Sequence, residues 1–224
     1  MKKFLTPARL WGTPGGPDED WIRPHVLWLP QHLPQVVAYF HQLRQIVDAY
    51  PDVVTPVADE NLHCTIQSVK NRAADGQSIS PEHLKTASRA IQHHLADLEP
   101  FDIEVGPVSL SGSAATAAIW PEEGPAELNR RVRAGLLDAS FVLPPPEEHF
   151  WPHISVGYGK QDCHIPWLAA RADELASALV TGIRPGIRTT ATINSIWLVW
   201  ERQDVPNNTY TFTPVHELHL GYKA

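Results

Sequence analysis

Apolar residues recur along this chain with two periods, one near 3.6 and one of 2, and each predicts a different element. Val26-Leu27-Trp28-Leu29 is a short apolar run ended by Pro30, which predicts a buried strand. Across residues 33–50, Val36, Val37, Phe40, Leu43, Ile46 and Val47 return at helical spacing until Pro51 stops the pattern. Extended segments are expected over 53–57 and 62–69. Ser80-Pro81-Glu82 then supplies an N-cap, a proline at the first helical position and an early acid, opening a helix to about residue 98. Residues 101–110 and 114–120 read as hairpin strands joined across Ser111-Gly112-Ser113. A helix is expected over 125–138. Pro144-Pro145-Pro146 marks a loop leading to a strand over 151–158, and a further helix covers 165–180 with Gly182 near its end. The final stretches, 188–201 and 209–215, are rich in Thr, Ile, Val, Trp and Tyr and predict two long strands.

Helices and strands are thus interspersed without the regular alternation of a doubly wound sheet. Two passages are alike: strand, helix and a strand with His-x-Thr, then strand, helix and a strand with His-x-Ser, the pattern of an internal duplication. Residues 1–20 hold Thr13-Pro14-Gly15-Gly16-Pro17 followed by Asp18-Glu19-Asp20, and are expected to form an N-terminal arm before a single domain over 21–224.

Composition narrows the function classes. The chain has 224 residues, 43% hydrophobic and 19% charged, enough apolar content for a substantial core. A formal net charge of -7 argues against coating long duplex nucleic acid, because counterion release needs many Lys and Arg contacts. A small phosphorylated ligand needs only a few local donors. No apolar stretch follows the basic Met1-Lys2-Lys3, and none is long enough to span a membrane, so neither a signal peptide nor a membrane contact is expected. Two cysteines, Cys64 and Cys163, make neither a disulfide framework nor a zinc knuckle, and a reducing cytoplasm is the expected setting.

Twelve histidines are the unusual part of the composition, and only two of them open a His-x-Thr/Ser triplet. These are His63-Cys64-Thr65-Ile66 and His153-Ile154-Ser155-Val156. Strand alternation turns His63 and Thr65 to one face and Cys64 and Ile66 to the other. His153 and Ser155 likewise share a face, opposite Ile154 and Val156. Each strand therefore offers an imidazole beside a hydroxyl, anchored by an apolar pair. An imidazole titrates near pH 6.5, so one member of a pair can accept a proton while the other donates one. Displacement at phosphorus needs that base and that acid on opposite sides, and hydroxyls can hydrogen-bond the non-bridging oxygens.

These two motifs resemble those of the 2H phosphoesterase superfamily, in particular its 2'-5' RNA ligase-like and 2',3'-cyclic phosphodiesterase members. The likeness covers most of the chain after the arm, including the phrase Trp151-Pro152-His153-Ile154-Ser155-Val156. It implies a bilobal α+β fold, two pseudo-symmetric antiparallel sheets facing a central groove with helices outside. It implies a monomeric enzyme that opens 2',3'-cyclic phosphates at RNA ends or in nucleotides, or joins RNA through a 2'-5' linkage, without a metal or other cofactor. Carried over residue by residue, it makes His63 and His153 catalytic and Thr65 and Ser155 substrate-binding, with His153 as base and His63 as acid in cyclic-phosphate opening. RNA as substrate is implied by this resemblance alone.

Other residues carry competing readings. Trp151 shares the His153 face and could stack a base at the rim or pack on Pro152. Ideal alternation puts Tyr158 with Ile154 and Val156, in the core. Lys70, Arg72 and Lys160 follow the motif strands and could assist phosphate recognition or be solvated charges. His93-His94 reads as a surface pair on a helix. His149 with His153, and His216 with His219, raise a metal-dependent hydrolase as an alternative, although Pro152 disfavours the helix that would join the first pair. A non-catalytic nucleotide sensor using the same groove is a third.

Overall fold

The computed structural model describes residues 1–70, 76, 78–182 and 187–221. Among these, nine strands pair antiparallel into two sheets with four α-helices outside them. The four-stranded sheet runs β3 (Cys64–Ser68), β1 (Ile22–Trp28), β8 (Ser195–Asp204), β9 (Thr209–His219). The five-stranded sheet runs β2 (Val54–Pro56), β6 (His153–Gly159), β5 (Ala114–Trp120), β4 (Phe101–Leu110), β7 (Thr189–Ile193). Helices α2 (Pro81–Leu95) and α3 (Glu123–Asp138) pack on the first sheet, and α1 (Pro34–Val47) and α4 (Pro166–Thr181) on the second. The chain crosses between sheets repeatedly, so each lobe holds segments from both halves of the sequence.

The helices form where the periodicity places them. Val36, Phe40, Leu43 and Val47 make the buried stripe of α1, and Leu84, Ala87, Ile91 and Leu95 that of α2. Ser80 caps α2, and the reciprocal bond to its backbone N–H comes from the His83 ring, which here stands where a glutamate or glutamine is usual. The apolar pairs of both motif strands are core: Cys64, Ile66, Ile154 and Val156 are all buried.

One expectation needs correction. Residues 188–201 are two strands, not one, broken at Asn194. Before it β7 pairs with β4 at the edge of the five-stranded sheet, and after it β8 lies between β1 and β9 in the other. Strand propensity is the same on both sides of the switch, so the sequence carries no period change to mark it. The four-stranded sheet also curls: the ring of His63, at the head of edge strand β3, lies 5.5 Å from Phe212 in the opposite edge strand β9.

The first eleven residues are tied to this body. Lys2 N–H donates to the Gly112 carbonyl at 2.7 Å and Phe4 N–H to the Gly159 carbonyl at 2.8 Å, while Leu5 is buried. The Gln203 side chain clamps the next turn, donating to the Arg9 carbonyl and accepting from Trp11 N–H, each at 2.8 Å. Gly159 is required for this approach, since a Cβ there would collide with the Lys2 carbonyl oxygen. Gly159→Ala should therefore dislodge residues 1–5 and cost about 1–3 kcal/mol, as overpacking typically does. Denaturant unfolding measures the loss, and trypsin cleavage after Lys2, Lys3 and Arg9 should accelerate. Unchanged stability and cleavage would contradict this packing.

Candidate active site

A groove of about 330 Å³ opens between the sheets, and both motifs reach it: His63, Thr65, His153 and Ser155 all line its wall. The two imidazoles are held in the same way. His63 Nδ1 lies 2.8 Å from the Asn61 carbonyl oxygen, and His153 Nδ1 lies 2.9 Å from the Trp151 carbonyl oxygen. A carbonyl oxygen can only accept, so Nδ1 carries the proton in each neutral ring and Nε2 remains as the free lone pair. The strands β3 and β6 come into contact here.

Burial keeps both rings neutral in the empty groove. It lowers His63 to about 4, opposed by the Asn61 carbonyl and reinforced by repulsion from His153. His153 is lowered for the same first reason, with the Trp151 carbonyl and the nearby Glu147 charge pulling it back up. Trp151 stacks on His153 with centroids 4.3 Å apart and keeps 42% of its surface exposed, which puts an aromatic face at the rim.

Several groove residues escaped the sequence reading. Tyr158 is buried in the core as expected, but its ring also lines the groove. The cause is a bulge between β5 and β6, where Ala115 pairs with Gly157 but Thr116 pairs with Ser155. The extra residue, Val156, reverses the alternation beyond it and turns Tyr158 to the His153 face. His25 is a third groove imidazole, buried, driven to about 3 by desolvation, with Nδ1 directed at the Arg23 carbonyl at 3.4 Å. Tyr210 and Glu201 enter from β9 and β8, and the arm contributes Phe4, Arg9 and Trp11. Phe4 stacks on Tyr158 at 4.2 Å, and Trp11 stacks on His25 at 5.1 Å. Arg9 is the single Lys or Arg among the described residues lining the groove, with Nη1 donating to Ser113 Oγ at 3.0 Å and its guanidinium 4.9 Å from the Phe4 ring centroid. An aromatic and cationic alternation in the arm (Phe4, Arg9, Trp11) was the available signal.

The remaining candidates lie elsewhere. Lys70 is exposed and outside the groove lining, Lys160 donates to the Pro51 carbonyl at 3.0 Å, and Arg72 lies outside the described residues. His149 pairs with Glu122 at 2.9 Å, and His94 with Asp138 at 2.7 Å. His216 and His219 stand three apart in β9 with regular pairing between them, so their side chains leave opposite faces. Among the described residues no three His, Cys, Asp or Glu side chains are grouped closely enough to hold a metal ion, and no helix is long and apolar enough to cross a membrane.

Two sheets facing one groove, helices outside, and a His-hydroxyl pair from each sheet define an α+β fold of the 2H phosphoesterase type. A family model described as the 2'-5' RNA ligase superfamily matches residues 75–205, more than half of the chain. The chain belongs to that superfamily. The matched span contains His153 and Ser155 and stops short of His63 and Thr65. Solved structures share the fold at low identity. TT0787 of Thermus thermophilus is 18% identical with a TM-score of 0.60, covering 90% of this chain and 100% of its own. Escherichia coli LigT complexed with 3'-AMP is 16% identical with a TM-score of 0.59, covering 88% and 97%. LigT complexed with ATP is 18% identical with a TM-score of 0.55, covering 88% and 96%. No curated protein matches the sequence at a significant level.

The groove has an unusual acid–base balance, because Glu201 is held protonated by burial up to about 8 while His25 and His63 are held neutral down to about 3 and 4. The histidine contribution to stability is present above pH 6.5 and is lost as pH falls toward 4, where the unfolded chain binds the extra protons. Glu201 works oppositely: its contribution is full below its unfolded value of 4.5 and is lost as pH rises through about 8. The Tm difference between Glu201→Gln and wild type should therefore grow in the variant's favour between pH 4.5 and 8. A difference independent of pH, measured by calorimetry, would contradict the buried, protonated carboxyl.

Proposed function

We propose that this groove cleaves a phosphodiester, a 2',3'-cyclic phosphate at an RNA end or in a nucleotide, with His153 as general base, His63 as general acid and no metal ion. The observation that carries this reading is the pair of matched Nδ1–carbonyl bonds, which leave two Nε2 atoms for proton transfer in one groove. His153 is the less buried ring and meets incoming water, whereas His63, 8% exposed, is shielded for transfer to a sugar oxygen. Water oxygen bonds to phosphorus as His153 takes its proton. The bond from phosphorus to the ribose oxygen breaks, and that oxygen takes the proton from His63. With an RNA hydroxyl in place of water, the same steps and the same roles join that hydroxyl to the cyclic phosphate.

Both rings are neutral before substrate arrives, and the negative charge of a bound phosphodiester raises His63 so that its Nε2 takes up a proton from solvent and holds it for the leaving oxygen. Thr65 and Ser155 donate to the non-bridging oxygens as charge builds, and Trp151 offers a stacking face at the rim for a second base of an RNA end. Arg9 adds the positive charge that the wall otherwise lacks among its described residues. The nucleotides named with the LigT structures fit a groove of this kind.

His63→Ala and His153→Ala should each lower kcat/KM for 2',3'-cyclic nucleotides by about 10²–10⁴, measured in EDTA, with folding retained. Metal-dependent activity, or activity surviving both substitutions, would overturn the reading. A nucleotide ester with p-nitrophenol as leaving group needs no acid, so it should restore turnover to His63→Ala and leave His153→Ala impaired. The opposite pattern would exchange the two roles. Arg9→Ala should raise KM about tenfold with a smaller change in kcat, the signature of lost ground-state binding.

A further inference from the structure

One polar group in the groove is unused by this chemistry. Glu201 is the sole acidic side chain among the described residues lining the wall. It is 3% exposed, and its Oε2 is buried without any hydrogen-bond partner. Arg23 stands directly opposite in β1, yet its guanidinium lies 5.2 Å from the Trp11 ring centroid and forms no ion pair with Glu201. A carboxylate in that position would bear a large desolvation cost, so the group keeps its proton at neutral pH. An unpartnered neutral carboxyl offers an O–H donor beside a C=O acceptor, on a residue that lines the groove.

We propose that Glu201 reads the amidine edge of a substrate base, adenine or cytosine, its O–H donating to the ring nitrogen and its C=O accepting from the exocyclic amine. The assignment deepens the phosphodiesterase reading and rests on it for the position of the phosphate between His63 and His153. Placement supports it: Tyr210, which lines the groove together with Glu201, has its ring 6.3 Å from that of His63. Trp11 and Tyr210 wall the same end with aromatic rings, centroids 5.7 Å apart. A base edge also satisfies the orphaned Oε2 and so removes a cost that the free protein carries. Uracil presents a ring N–H where adenine presents a bare ring nitrogen and a carbonyl oxygen where adenine presents the amine, so the acid O–H would meet only a carbonyl oxygen, a weaker acceptor.

The test is a binding cycle that requires no turnover. Calorimetry at pH 6.5, where Glu201 is protonated, compares 3'-AMP with the 3'-phosphate of purine riboside, which lacks the exocyclic amine. Wild type should prefer 3'-AMP about tenfold, the worth of one such hydrogen bond. Glu201→Gln, which keeps a donor beside an acceptor, should retain the preference, and Glu201→Leu should reduce the ratio to about one. A wild-type ratio near one, a preference that survives in Glu201→Leu, or failure to bind either nucleotide would overturn the assignment. Cleavage of cyclic phosphates with no such preference removes the role of Glu201 alone, whereas an intact preference with no cleavage removes the chemistry alone.

Discussion

The chemistry of this groove depends on two hydrogen bonds from imidazole Nδ1 to a main-chain carbonyl two residues earlier in the chain. A histidine ring has two nitrogens and a nearly free ring torsion, and only a fixed partner for one nitrogen makes the other dependable as base or acid. The carbonyls of Asn61 and Trp151 belong to the segments that lead into the motif strands. Orientation is therefore set by backbone that the two sheets already hold rigid. Burial of Ile154, Val156, Cys64 and Ile66 on the reverse faces keeps each strand in place, so packing of the core and aim of the rings are the same constraint.

That constraint explains the electrostatics. A groove deep enough to hold both rings also desolvates them, and His25, His63 and His153 are all driven below the ordinary imidazole value. The same burial drives Glu201 the other way, toward the neutral acid. At neutral pH the interior is thus nearly uncharged, with Arg9 at its edge. Under the proposed reading, an arriving phosphodiester would supply the charge against which one imidazole can hold its proton, so that acid function would be acquired with the substrate.

The arm alters what the superfamily relationship means for this chain. The family match begins at residue 75, so the first motif and the whole arm lie outside it. Structural likeness to TT0787 and LigT, at 16–18% identity, concerns the two-sheet frame. Around the central histidines stand Phe4, Arg9 and Trp11 of the arm, the last two held by Gln203, and the Trp11, Tyr210 and Glu201 end of the groove.

Local chemistry was legible from the sequence. His63 with Thr65, and His153 with Ser155, share faces because alternation in a strand depends only on neighbouring residues. The helices were legible for the same reason, since a stripe at period 3.6 needs no knowledge of what covers it. The break at Asn194 and the turning of Tyr158 were not. The first is a change of sheet within uniform strand composition, and the second is a bulge set by pairing with β5. His25, Arg9 and Glu201 were equally hidden, because a residue's entry into the groove depends on which strands become neighbours and how the four-stranded sheet curls. The sequence by itself determined which imidazoles and hydroxyls share a face of each motif strand. Only the tertiary structure decided that the two faces meet, which nitrogen is free, and what else stands in the groove, because those depend on contacts between segments far apart in the chain.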